Sequence, residues 1–276
     1  MSYVPIIPAT GYAGWKMLNR TMTLQKAAFV ASAEIQRDEA YFRENIGSVK
    51  TAEDLVADRR LLKVALGAFG LENDINNKFF IQKVLEEGTL DSDALANKLS
   101  DKTYLKLSQA FGFGDFSTPR TVLSDFPDEI LAKYEARQFE VAVGESDDTF
   151  RLALAAQREL PELAGKSSSE ATKWYSVIGS KSLSSVMRTA LGLPQSVASL
   201  DVDQQLEVFK QKSADVLGSP NVSDLGEPET LEKVVRLFLV RSQIDLGGSV
   251  SSGSAALQLL SVSSYSSSTS NLSLLL

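Results

Sequence analysis

Ala164-Gly165-Lys166-Ser167-Ser168 has the residue types of a phosphate-binding loop, in which glycine frees backbone N–H groups and lysine meets a phosphate. That loop needs another glycine five positions upstream, where Leu160 stands, followed by Pro161. The preceding residues pattern as a helix rather than a strand, so a helix-terminating loop is the better reading. Gly112-Phe113-Gly114 opens like a dinucleotide fingerprint, but Ser117 takes the place of the third glycine and no βαβ unit surrounds it. Asp91-Ser92-Asp93 begins like a calcium loop and fails at Leu95 and Ala96, where an oxygen ligand and a turn glycine are required. The carboxylate pairs Asp38/Glu39, Glu86/Glu87 and Asp147/Asp148 have the groups for glycosidase-like acid–base work. Their places near helix ends or on exposed faces favour solvated surface instead. Ser180-Lys181 joins a nucleophile to a base, but neighbours on a helix point apart.

The missing residue types exclude more. The 276-residue chain has no histidine and no cysteine. Ser-His-Asp triads, cysteine nucleophiles, structural zinc sites and iron–sulfur clusters are all ruled out. No disulfide can form, so stability rests on packing. With 28 basic and 35 acidic side chains the formal charge is −7, which argues against broad nucleic-acid binding. No catalytic, cofactor or metal residue is assigned, and the expectation is a protein that is not an enzyme.

The elements that would position any site are helical. The fold expected is all-α and multi-helix, with the character of two similar lobes. The domain reading is an uncharged arm over 1–14, a first lobe over 15–113, a linker over 114–126, a second lobe over 127–245 and a Ser-rich tail over 246–276. Leu24 to Ile46 keeps a 3.6-residue apolar spacing and ends at Gly47. Thr51 reads as an N-cap with acidic groups behind it, and Gly70 closes the helix that follows. A helix from Asp74 halts at Gly88, with Phe79 or Phe80 on its apolar face; Asp91 and Asp101 read as caps for two short ones. Pro127, Asp201 and Pro228 mark later helix starts. Leu62-Lys63-Val64-Ala65-Leu66-Gly67 is echoed by Met187-Arg188-Thr189-Ala190-Leu191-Gly192, which fits either a duplication of the lobes or the chance likeness of two helix-turn-helix segments.

The two ends are neutral. The first charged side chain is Lys16, so the start lacks the basic region of a secretory signal. No run approaches the length of a membrane span. After Asp245 nothing is charged, and 12 of the 28 residues from Ser249 to Leu276 are serine. Such a tail reads as disordered when alone, with Leu257, Leu259, Leu260 and Leu274 available to a partner. Trp15, flanked by Gly14 and Lys16, reads as an anchor for the arm or as the other partner-contact candidate.

Several strings suggest a family. Gly11-Tyr12-Ala13-Gly14-Trp15, Asp38-Glu39-Ala40-Tyr41-Phe42-Arg43-Glu44-Asn45-Ile46, Asp58-Arg59-Arg60-Leu61-Leu62 and Phe80-Ile81-Gln82-Lys83-Val84-Leu85 resemble an alphaproteobacterial family. It is labelled domain of unknown function twelve-seventeen. The resemblance is strong over 11–115 and looser to 241. It implies the company of flagellar genes and carries no catalytic residues. The function it implies is a non-enzymatic flagellum-associated structural or assembly protein acting through protein–protein contacts. The alternative is a cytoplasmic helical adaptor or export chaperone for a flagellar client. Expected partners are other flagellar or export proteins, with no nucleic acid and no membrane span, and self-association is compatible with this. Synthesis in the cytoplasm without a Sec signal, followed by export to the flagellum, is the expected location.

Overall fold

Capping chemistry sets most of the helix boundaries. Thr51 and Asp54 form a reciprocal capping box at the start of α3 (Ala52–Ala57). Asp58 then caps α4 (Arg59–Phe69) through the N–H groups of Arg60 and Leu61. Gly70, at φ 75°, closes that helix in the left-handed region where glycine is favoured. Asp147, Ser169, Ser180 and Asp201 cap α9 (Asp148–Ala164), α10 (Glu170–Gly179), α11 (Lys181–Leu191) and α12 (Val202–Leu217). Pro127 and Pro228 lie in the first turns of α8 (Phe126–Gly144) and α13 (Pro228–Leu246).

The computed structural model describes residues 3–246; the tail reading over 246–276, with Leu257, Leu259, Leu260 and Leu274, lies outside the described residues apart from Leu246 itself. Among the described residues every regular element is helical, and the protein is all-α. The remaining α-helices are α1 (Gly11–Val30), α2 (Ala33–Asn45), α5 (Lys78–Glu87), α6 (Leu95–Lys98) and α7 (Thr103–Phe111).

Several boundaries differ from the sequence reading. The segment expected to run from Leu24 to Ile46 breaks at Ala31 and Ser32, and Gly47 lies in a short 3-10 turn rather than at a helix end. The expected arm is shorter, because α1 begins at Gly11. The helix expected from Asp74 starts at Lys78, since Asp74 instead ends a 3-10 turn and accepts from Tyr104 Oη at 2.6 Å. Phe80 packs edge-on against Tyr104, whereas Phe79 is 80% exposed. α10 and α11 are parted at Ser180, and α9 continues through Pro161 to Ala164 despite the proline.

α4 and α8 pack most extensively, followed by α11 and α13. Gly67 permits the first contact: a Cβ there would lie 2.9 Å from the Tyr134 ring. A glycine inside a helix is unfavourable relative to alanine by about 1 kcal/mol, so the close approach has a measurable cost. Gly192 works differently, as the left-handed cap of α11, so the six-residue echo pairs two glycines with unlike roles. One buried cluster runs from Leu18 and Phe42 through Phe111 and Tyr134 to Phe209 and Leu239, crossing 114–126. Within that stretch Thr121 is buried and donates to Val49 O at 2.6 Å.

The arm folds back on α1. Gln25, buried, accepts from Ile6 N at 2.7 Å and donates to Ile6 O at 3.1 Å. Gly14 is required beneath it, because a Cβ would sit 1.7 Å from Ala9 O.

Candidate functional site

The motifs set aside in the sequence are structural. Gly165 caps α9, and Ala164 O accepts from Lys173 Nζ. Gly112 is the left-handed cap of α7. Asp91 accepts from Asp93 N at 2.8 Å, and Asp101 from Thr103 N at 2.9 Å. Asp147 caps α9 while Asp148 pairs with Arg151. Glu86 accepts from Gln82, and Glu87 from Leu95 N. Asp38 accepts from Tyr134 Oη at 2.9 Å and Lys63 Nζ at 2.7 Å. Burial first, and Asp38 second, push the Tyr134 hydroxyl well above the ordinary tyrosine range. Asp58 accepts from Tyr41 Oη at 2.6 Å, and the Arg60 guanidinium lies 3.6 Å over the Tyr41 ring. Each of these carboxylates has a donor, as structural groups do.

Trp15 is 4% exposed and its ring stacks 5.9 Å from Phe150. It therefore anchors α1 in the core and offers no ring to a partner, which corrects its reading as a contact residue.

The fold brings together two clusters that local spacing conceals. Lys173, 4% exposed, donates to Ser223 Oγ at 2.7 Å and Ala164 O at 2.8 Å. This is a serine–lysine pair in reach, though not the Ser180-Lys181 of the sequence. Its electrostatics are wrong for a nucleophile. Ser223 Oγ donates to Glu170, and Glu170 also accepts from Val222 N at 2.7 Å. Burial raises the Glu170 carboxyl, but the Ser223 hydroxyl, these backbone N–H groups and Lys173 outweigh it and hold the group below its usual range. The lysine is thus paired to a carboxylate rather than poised as a base. The cluster ties α10 to the end of α9 and to the turn before α13.

The second cluster joins α8 to α9. Arg158 Nε and Nη2 reach the two Glu140 oxygens at 2.7 and 3.0 Å, and Arg158 Nη2 also reaches Glu159 at 3.0 Å. Arg137 bonds Glu159 at 2.9 Å. Glu140 and Glu159 are both buried, and every member has a partner.

A cleft of about 670 Å³ opens between α1, α2 and α8, lined by Met22, Lys26, Val30, Gln36 and Glu135 among others. Glu39 stands behind its wall, 9% exposed. Burial first and the Glu135 carboxyl second hold its pKa above the ordinary carboxylate range. Because the folded value is raised, the stability this carboxyl allows is full at pH below its unfolded value. It is lost as pH rises through the folded value. Glu39→Gln is expected to stabilise the protein at pH 7 by about 1 kcal/mol, roughly 2–4 °C in Tm, and to change nothing at pH 3.5. Thermal melts of both proteins at the two pH values decide it; equal melting at pH 7 would defeat the expectation.

Among the described residues no three metal-ligating side chains converge, and no helix is long and apolar enough to cross a membrane.

Comparison with known proteins gives a family and a fold. No curated protein matches the chain. It is similar to the crystal structure of protein AGR_C_984 from Agrobacterium tumefaciens, with 27% identity and a TM-score of 0.72. The match covers 88% of this chain and 99% of that one. A family model described as protein of unknown function (DUF1217) matches residues 68–231. That stretch is centred further along the chain than 11–115, where the resemblance is strongest to the eye. It spans more than half of the sequence, and the chain belongs to the DUF1217 family.

Proposed function

We propose that this protein is a non-enzymatic component or assembly factor of the bacterial flagellum, acting through protein–protein contacts. The contact half rests on one observation: large apolar side chains stand in solvent along the arm and α1. Val4, Ile6, Met17 and Leu24 are 58%, 67%, 46% and 76% exposed. Met17 and Leu24, seven positions apart, share one face of α1, and apolar side chains gathered on one face are what an interaction site needs. The flagellar half rests on what the family resemblance implies, the company of flagellar genes. Cell fractionation tests it. Protein in purified flagella or culture supernatant supports the reading, and a chain confined to the cytosol opposes it. Removing 247–276 is expected to impair swimming while leaving the melting temperature unchanged; normal swimming would show that the tail is no assembly element.

A second reading, a cytoplasmic chaperone, is favoured by the net charge of −7, which suits a basic client. Strictly cytosolic protein that co-purifies with a flagellar export substrate would select it.

A further inference from the structure

The bend between α1 and α2 is made at essentially one torsion. Ala31 lies in the right-handed helical region, at φ −70° and ψ −3°. Ser32 has a helical φ of −67° but an extended ψ of 145°. Helical bonds stand on both sides of it: Ala31 N donates to Ala27 O and Gln36 N to Ser32 O, each at 3.0 Å. Turning the Ser32 ψ to about −40° would join the two elements into one helix from Gly11 to Asn45.

Local chemistry favours that straight form. Ser32 is the N-cap of α2, yet its hydroxyl accepts no bond there, so the first N–H groups of α2 lack a capping side chain. In a straight helix Ala33, Glu34 and Ile35 would donate to the carbonyls of Phe29, Val30 and Ala31. The bent form has in their place Ser32 N to Phe29 O and Gln36 Nε2 to Val30 O, both at 3.0 Å. No glycine or proline stands between Leu24 and Ile46, and the apolar spacing runs through the bend. What bends the chain is therefore the seat that α1 occupies.

That seat is a groove between α8, α9 and α13. Trp15 stacks on Phe150, Phe29 on Phe139, and Tyr12 and Lys16 bond Glu232. Gly11 admits the Gln243 side chain where a Cβ would lie 2.1 Å from it. Leaving the groove would uncover Trp15, Leu18 and Phe29, all buried when seated, so a lone chain stays bent. A second copy removes that penalty, because its groove offers the same contacts. The cleft of about 670 Å³ beside the bend, lined by Met22, Lys26, Val30 and Gln36, leaves part of α1 unpacked against its own α2 and α8. Little is lost there when the two helices straighten.

We propose that α1 and its arm are exchanged between two copies of this chain. Each α1 seats in the α8–α9–α13 groove of the other copy and is joined to its own α2 by a helix running straight through Ser32. That helix is roughly 52 Å long and carries α1 clear of its own groove. The inference concerns self-association and goes beyond the flagellar reading, on which it does not depend.

The test is sedimentation of full chains co-refolded from urea at micromolar to millimolar concentration. The protein has no cysteine, so introduced thiols are the only ones. Tyr12→Cys in one chain and Glu232→Cys in another are expected to be joined by a short bismaleimide after co-refolding. Chains refolded apart and mixed while dilute should not be joined. The other junction in that mixed dimer keeps its native bond between Tyr12 and Glu232. Ser32→Ala removes no cap bond and puts a better helix former at each of the two hinges, so it should tighten the dimer about fivefold. A glycine insertion between Ala31 and Ser32 interrupts the straight helix and lets α1 reach its own groove. It should weaken the dimer at least about tenfold and leave the melting temperature of the monomer unchanged.

A dimer that forms without the cross-link, or that neither hinge change moves, would overturn exchange. So would a chain that stays monomeric at millimolar concentration even with Ser32→Ala. The cross-link and Ser32→Ala decide the matter without the insertion variant.

Discussion

Trp174→Ala is expected to lower the unfolding free energy by about 3–5 kcal/mol, a large share of what a domain possesses. Trp174 on α10 is fully buried, its ring is 5.9 Å from Phe209 on α12, and its Nε1 donates to Pro220 O at 2.8 Å. The substitution empties a ring-sized volume and leaves a carbonyl without its donor. Trp174→Phe separates the two effects. It restores most of the packing and is expected to cost only about 1–2 kcal/mol, the share of the lost hydrogen bond and the smaller ring. Denaturant unfolding of the three proteins measures both steps. A loss below 1 kcal/mol in the alanine variant would mean that α10 and α12 are not held through this ring.

The second large effect is expected at Glu140. Glu140→Ala should destabilise the protein by about 3–5 kcal/mol, because it removes two bonds to Arg158 and leaves two guanidinium groups sharing the single Glu159 carboxylate. Burial opposes the charge on that guanidinium, but Glu140 and Glu159 together hold its pKa above the ordinary arginine value. Arginine stays charged when one acid is removed, because its intrinsic pKa is far above neutral. The Glu140 side chain is only 8% exposed and that of Arg158 is 30%, so solvent does not take over the lost contact. Replacing both Glu140 and Arg158 by methionine is expected to be less harmful than Glu140→Ala alone, since a cation and an anion then leave together and Arg137 keeps Glu159. If the double variant is the worse of the two, the network stabilises through its charges and this account fails.

Much of the helical architecture was legible where a boundary is written in the residues that cap it. Thr51 with Asp54, Gly70, Asp201 and Pro228 all mark ends that the structure keeps, whereas the one helix read from Thr51 to Gly70 is parted in two at Asp58. Where no breaker stands, the boundary was hidden: Ala31 and Ser32 part α1 from α2 with no glycine, no proline and no side-chain cap. Gly11, read as part of a loose arm, begins a helix because the turn beside it is held by Gln25 and by close packing at Gly14. The side-chain clusters were less legible still. Arg137 and Glu140 are visible as neighbours on a helix, but their link to Arg158 and Glu159 needs α9 laid against α8. Lys173 and Ser223 are 50 positions apart, and Glu39 meets Glu135 across two helices. Such pairings are properties of the packing, not of any local spacing.

The way α1 is anchored also sets a timetable for synthesis. Tyr12 and Lys16 bond Glu232, 220 and 216 residues away, and Trp15 rests on Phe150. At ~5–20 residues per second a ribosome needs on the order of ten to forty seconds to deliver α13 after α1 has emerged. Phe150 reaches Trp15 earlier, but Tyr12 and Lys16 wait for Glu232 through the whole interval. Docking of α1 onto α13 is therefore among the last long-range contacts to form during synthesis.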